Sequence, residues 1–298
     1  MATLQNAKIP GSAVQNKWGN SPGEALRAFL PRLVASHFGR NENSLQVRAA
    51  SRRFKLQINL SIWLKRSLGK DWDTLENPWV NYDPPANEVK FHNLDKNHAL
   101  SFNKVVGENE AIRLTEHLEP SPFTGNPQAN VFVLLANPGV SEKEASPAYR
   151  MNQEKKIINL RNLRHEDVDS LKFRIHSPEK PELESNWFQP RVRSLVKQTS
   201  VERVASGVFF LNFHGYHSKS WYPIPFTFAT QHYSFYLVEQ AISRYALIVM
   251  SRNLLGWFTA VPQLYDYPNR VSFKSSRSVH LSEGNLGSEN YLGVVQRL

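Results

Sequence analysis

The chain of 298 residues contains no cysteine, carries a formal net charge of +10, and is 41% hydrophobic and 21% charged. That balance belongs to a globular protein, and the missing thiols exclude disulfides, thiol catalysis, cysteine-ligated zinc and iron–sulfur clusters. The positive charge points to a polyanionic partner, nucleic acid being the commonest, and no apolar run approaches the roughly 18 residues of a membrane span.

Residues 1–20 are polar, with scattered Gly and Pro, and lack the apolar core of a signal peptide. A cytoplasmic protein with no membrane partner is therefore expected. Residues 24–39 read as a helix interrupted near Pro31. Phe54, Leu56, Ile58, Leu60, Ile62 and Leu64 then occupy every second position, the pattern of a half-buried strand. Its flanks, Arg52, Arg53, Lys65, Arg66 and Lys70, form either a solvated rim or a phosphate-contacting face. Residues 71–130 show little periodicity beyond a helix at 108–117, and 119–130 is a Pro/Gly/Asn connector. Residues 1–118 are thus read as a basic N-terminal extension, partly packed on a main domain at 119–298.

From residue 131 the pattern is regular. Apolar strands at 131–136, 207–212 and 246–251 alternate with helices at 143–163, 187–205, 232–245 and 253–264. A short fourth strand at 270–275 and a closing helix at 285–298 follow. Continuous apolar strands separated by helices predict an α/β three-layer sandwich with a central four-stranded parallel sheet.

Ligands of open α/β sheets bind beyond the C-terminal strand ends. That rule selects Asn137-Pro138-Gly139, the segment 212–218, Ser251-Arg252-Asn253 and the segment 275–285. An asparagine directly after an apolar strand is either a cap or turn residue, or a fixed donor–acceptor suited to holding water or a base edge. His214 and His217 are either structural or metal ligands, with no acidic partner close in sequence. Glu142 and Glu144 read as helix N-terminal charges or, less simply, as catalytic carboxylates. No Gly-rich phosphate loop is present, Ser218 lacks a Gly-x-Ser-x-Gly context, and the strand ends are poor in the clustered carboxylates of a metal-dependent nuclease.

Three segments, in order, carry a resemblance. Pro122-Phe123-Thr124-Gly125-Asn126-Pro127 precedes the strand that ends in Asn137-Pro138-Gly139. Tyr216-His217-Ser218 follows the second strand, and Ser282-Glu283-Gly284-Asn285-Leu286 lies near the end. Over roughly residues 119–298 the chain resembles the uracil-DNA glycosylase superfamily, and most of all a cysteine-free bacterial branch with this Asn-Pro-Gly motif. The resemblance implies a base-flipping DNA glycosylase that needs no cofactor and no metal. Asn137 would hold the attacking water and Asn212 would bind the extruded base, with Phe213 or Tyr216 either stacking on it or packing beneath the loop. Pro138 would stiffen the mount, and Gly139 would let the backbone approach sugar or phosphate.

The superfamily's His-Pro-Ser loop corresponds to Ser275–His280, where the usual His and Pro are absent. Arg277, His280 or His217 would then stabilise the departing base, and Arg252, Ser276, Arg277 and Ser278 would contact the DNA backbone. Gly215 would leave room beside the pocket for a bulky 5-substituent, or serve a turn. The departure suits superfamily members that excise hypermodified cytosines, such as glucosylated 5-hydroxymethylcytosine, from phage DNA in antiviral defence; uracil is the second substrate. The alternative is a non-catalytic nucleic-acid-binding module on the same fold. The oligomeric state is left open.

Overall fold

The computed structural model describes residues 75–84, 88–140, 152–167, 169–275 and 277–298, all in one compact unit. The helix expected at 24–39, the strand at 54–64 with its basic flanks, Glu142, Glu144 and Ser276 lie outside the described residues.

The strands are β1 (Phe123–Gly125), β2 (Val131–Leu135), β3 (Val208–Asn212), β4 (Leu247–Met250) and β5 (Arg270–Ser272). They form one sheet in the order β1-β3-β2-β4-β5. The helices are α1 (Lys96–Val106), α2 (Gln153–Leu163), α3 (Ser170–Ile175), α4 (Phe188–Gln198), α5 (Val201–Gly207), α6 (Gln231–Ser243), α7 (Leu254–Ala260), α8 (Glu283–Leu286) and α9 (Ser288–Arg297).

The four expected strands form and run parallel to one another, but the sheet is five-stranded and mixed because β1 joins β3 antiparallel. The connector read at 119–130 therefore contains an edge strand. Three residues next to Pro122 are too few to show a period of two. Gly125 makes this pairing possible: its φ is +112°, and a Cβ there would lie 2.7 Å from the carbonyl oxygen of Val208.

β2 lies at the centre with every residue buried. Alternate residues of its neighbours feed two cores. Phe132, Leu134, Phe209, Leu211, Ile248 and Met250 pack with Phe102 of α1, Val238 of α6 and Trp257 of α7. On the opposite face Val131, Val133, Val208, Phe210 and Val249 pack with Leu171 of α3, Val192 and Leu195 of α4 and Val294 of α9. Each such side chain contributes about 1.5–3 kcal/mol relative to exposure.

Several helix boundaries differ from the sequence reading, each for a local reason. The segment 108–117 forms turns, and the helix lies earlier, at α1. Tertiary contacts hold that polar stretch: Asn103 pairs with Leu114 through Nδ2 to the carbonyl and Oδ1 to the N–H, while Trp79, Phe91 and Phe102 join the first core. The helix expected at 187–205 is two, because Ser200 caps α5 by accepting from the Arg203 N–H. The closing helix breaks at Gly287, whose φ is +85°. Pro262 ends α7 early and opens a short 3-10 turn.

Candidate functional site

The parallel pairing of β2 and β3 aligns Leu135 with Asn212. Asn137 stands two residues past Leu135, so both amides emerge at the same edge of the sheet. Pro138 cannot donate to a ladder, which stops β2 there. The terminal carbonyl of Leu135 is satisfied instead by the Phe213 N–H at 3.1 Å and the Trp257 indole at 3.0 Å.

The orientation of Asn137 follows from its partners. Its Nδ2 donates to Ser218 Oγ at 2.8 Å and to the Pro138 carbonyl at 3.1 Å, while Ser218 Oγ donates onward to the Ser220 carbonyl. A carbonyl only accepts, so the nitrogen must face it, leaving Oδ1 without a partner among the described residues. Asn212 is arranged alike. Its Nδ2 donates to the Ser121 carbonyl at 2.8 Å, and its Oδ1 is buried without a partner among the described residues. The side chain is only 7% exposed, so that acceptor has forfeited hydration for nothing within the protein.

His217 is buried beside them, and its Nδ1–H donates to the Gly139 carbonyl at 2.7 Å. Gly139 is exposed, and a Cβ at this position would meet nothing within 4 Å. Packing therefore does not require glycine there, and its bare backbone is open to a ligand.

These groups line a cavity of about 660 Å³ at the C-terminal ends of β2 and β3. Asn137, Pro138, Gly139, Asn212 and His217 form one wall. The rest comes from the start of α2 (Asn152, Lys155, Lys156), the end of α3 (Arg174) and the turn into α4 (Glu184 to Phe188, with Arg191). The sequence reading missed this basic half, because its side chains come from three successive helices and not from the strand ends.

Other expected site residues lie elsewhere. Tyr216 is 1% exposed; its hydroxyl donates to Asp95 at 2.7 Å, and its ring packs on Phe91 and Phe228. Burial and the Asp95 charge raise its pKa, so it is a neutral core tyrosine and not a stacking platform. Phe213 packs edge-on against Trp257 and close to Phe235, and it does not line the cavity. Gly215 gives no space to a ligand, because a Cβ there would lie 3.0 Å from Pro122. His214 is buried against Trp221, and burial, reinforced by His217, pushes its pKa down to about 3.

The described residues of the 275–285 segment also stay outside the cavity. Asn285 ties it together by accepting from the Ser275 N–H at 2.9 Å and donating to the Ser278 and His280 carbonyls. Arg252 is exposed and donates to the Arg277 carbonyl at 3.4 Å, so these two backbone-contact candidates adjoin each other away from the amides. Ser251 Oγ donates to the Leu134 carbonyl.

Among the described residues no group of three or more His, Asp or Glu is placed to hold a metal ion, and no helix is long and apolar enough to cross a membrane. In comparisons with known proteins, no family model, curated protein or solved structure matches the chain.

Proposed function

We propose that the chain is a monofunctional DNA glycosylase with a uracil-DNA glycosylase-like fold, acting on a modified pyrimidine. The observation that carries this reading is the pair of amides at adjacent strand ends, both lining one cavity and each anchored through Nδ2, with Asn212 Oδ1 buried without a partner among the described residues. Asn212 Oδ1 accepts an N–H from the edge of an extruded base, which both cytosine and uracil can supply. Asn137 Oδ1 accepts from a water and aims its lone pair at C1′ of the sugar.

An amide is too weak a base to take a proton early, so the geometry suits a dissociative reaction. The C1′–N bond breaks with its electron pair going to the base, and the water oxygen bonds to the cationic C1′. The water's spare proton passes to solvent. Arg174, Arg191, Lys155 and Lys156 give the cavity a cationic half that favours the negative charge of the departing base. Extrusion of the nucleotide costs a few kcal/mol.

The cavity volume falls within the roughly 300–1,000 Å³ that holds a whole small ligand, which supports a substituted base such as glucosylated 5-hydroxymethylcytosine over plain uracil. The test is to incubate the protein with DNA containing that base, with uracil-containing DNA and with unmodified DNA, then cleave abasic sites with alkali. Breaks in the first are expected. Breaks only in uracil DNA would overturn the substrate assignment, and breaks in none would favour a binding module without catalysis.

A further inference from the structure

Two guanidiniums line the cavity wall. Arg174 lies over the Phe188 ring at 5.5 Å and Arg191 over the Trp187 ring at 4.9 Å. The two rings meet edge to face at 4.8 Å, so the four side chains form one continuous cluster at the start of α4. Neither arginine has a carboxylate partner within 4 Å among the described residues. Arg174 makes one long hydrogen bond, 3.4 Å to Asn159 Oδ1, and the Nε of both is buried without a partner.

Among the described residues, the carboxylates that line the cavity, Glu119 and Glu184, form no ion pair with either arginine. Glu184 lines the same cavity but accepts from the Ser177 N–H at 2.8 Å, with His176 3.7 Å away. Lys156, by contrast, has Asp83 at 3.8 Å. Burial lowers the Arg191 pKa from its ordinary value, as expected of a cation partly stripped of water and given no counter-charge. Uncompensated, half-buried cations destabilise a fold unless a ligand supplies the anion. A guanidinium is a planar fork suited to bidentate contact with phosphate oxygens, and here each is held over an aromatic ring.

We propose that Arg174 and Arg191 form a phosphate subsite in the cavity, binding a phosphate of the same nucleotide strand whose base Asn212 holds. The inference rests on reading the cavity as a nucleotide site but not on catalysis there. A backbone phosphodiester and a terminal monophosphate share this chemistry.

Calorimetry of the full chain with 2′-deoxycytidine 5′-monophosphate and with deoxycytidine tests the subsite itself. The monophosphate is expected to bind about tenfold more tightly, and Arg174→Gln or Arg191→Gln to erase that preference. Arg191→Lys, which keeps the charge and loses the fork, should retain part of it. A melting curve for each variant reports whether it is folded.

A neutral methylphosphonate walked along an oligonucleotide then identifies the source. A loss at one position in the parent, absent in Arg191→Gln, assigns a backbone phosphodiester. A flat walk with the monophosphate preference intact assigns a terminal phosphate. Equal binding of nucleotide and nucleoside together with a flat walk overturns the proposal. Arginine-dependent phosphate binding without any base release would retain this subsite while overturning the glycosylase reading.

Discussion

The two halves of the sheet's C-terminal edge carry similar residues and do different things. At the β4 and β5 ends, Ser251 donates to the Leu134 carbonyl, Arg252 to the Arg277 carbonyl, and Asn285 bonds the Ser275 N–H and the Ser278 and His280 carbonyls. At the β2 and β3 ends, Asn137 and Asn212 are each held through Nδ2 and both line the cavity, and Asn212 Oδ1 is buried without a partner among the described residues. A polar residue after a strand is therefore not a site by virtue of its position. Asn253 after β4 also leaves its Nδ2 buried without a partner among the described residues, so what separates the two halves is that Asn137, Asn212 and His217 converge on one cavity.

The contrast can be broken most sharply at its two asparagines. Asn137→Ala should lower base release by about 10²–10³-fold, as loss of a preorganised polar group in a catalytic site does, while DNA binding measured by gel shift stays close to the parent's. Asn285→Ala should show the reverse: a stability loss of about 1–3 kcal/mol by urea denaturation, because a half-buried junction of three backbone groups is opened, with base release per folded molecule unchanged. If Asn285→Ala abolished release and Asn137→Ala did not, the assignment of the two halves would be the wrong way round.

Acid should weaken the packed backing of the β3 end. Burial pushes His214 down to about 3, with His217 adding to the effect, and pushes His165 down to about 4, against an ordinary value of 6.5. In the unfolded chain both take up protons below that ordinary value, and in the fold they do not. Their contribution is therefore intact above about pH 6.5 and is lost as the pH falls towards the folded values, by roughly 2 kcal/mol each at pH 5. Urea denaturation across pH 4.5–7 should show that slope, and His214→Phe should remove about half of it. A slope unchanged in the variant would mean that His214 is protonated in the fold.

Glycines provide the smallest and most local test. Gly139→Ala should alter stability by less than about 0.5 kcal/mol, since nothing lies near the new methyl, yet it should weaken substrate binding if backbone approach at 139 matters. Gly215→Ala presses on Pro122 and should reduce stability without touching the cavity.

Long apolar strands were legible because their signal is local. Val131–Leu135, Val208–Asn212 and Leu247–Met250 are buried on both faces and read as continuous hydrophobic runs, and the strand-end rule then led directly to Asn137, Asn212 and His217. What sequence could not convey was which polar groups satisfy each other. Tyr216 sits beside His217 in the chain but turns into the core to meet Asp95, 121 positions away. Arg174 and Arg191 reach the cavity from separate helices, and nothing in their local sequence marks them as unpaired. The edge strand at Phe123–Gly125 is specified by its partner β3 and by the room beside Gly125, neither of which a three-residue segment reveals.

The central claim is base release dependent on the Asn137 amide, and mass spectrometry of the bases freed from modified and unmodified DNA addresses it most directly. The account predicts a free modified pyrimidine from the parent protein and none from Asn137→Ala at equal protein concentration. Equal release by parent and variant, or DNA binding by the parent with no base freed from any substrate, would contradict it.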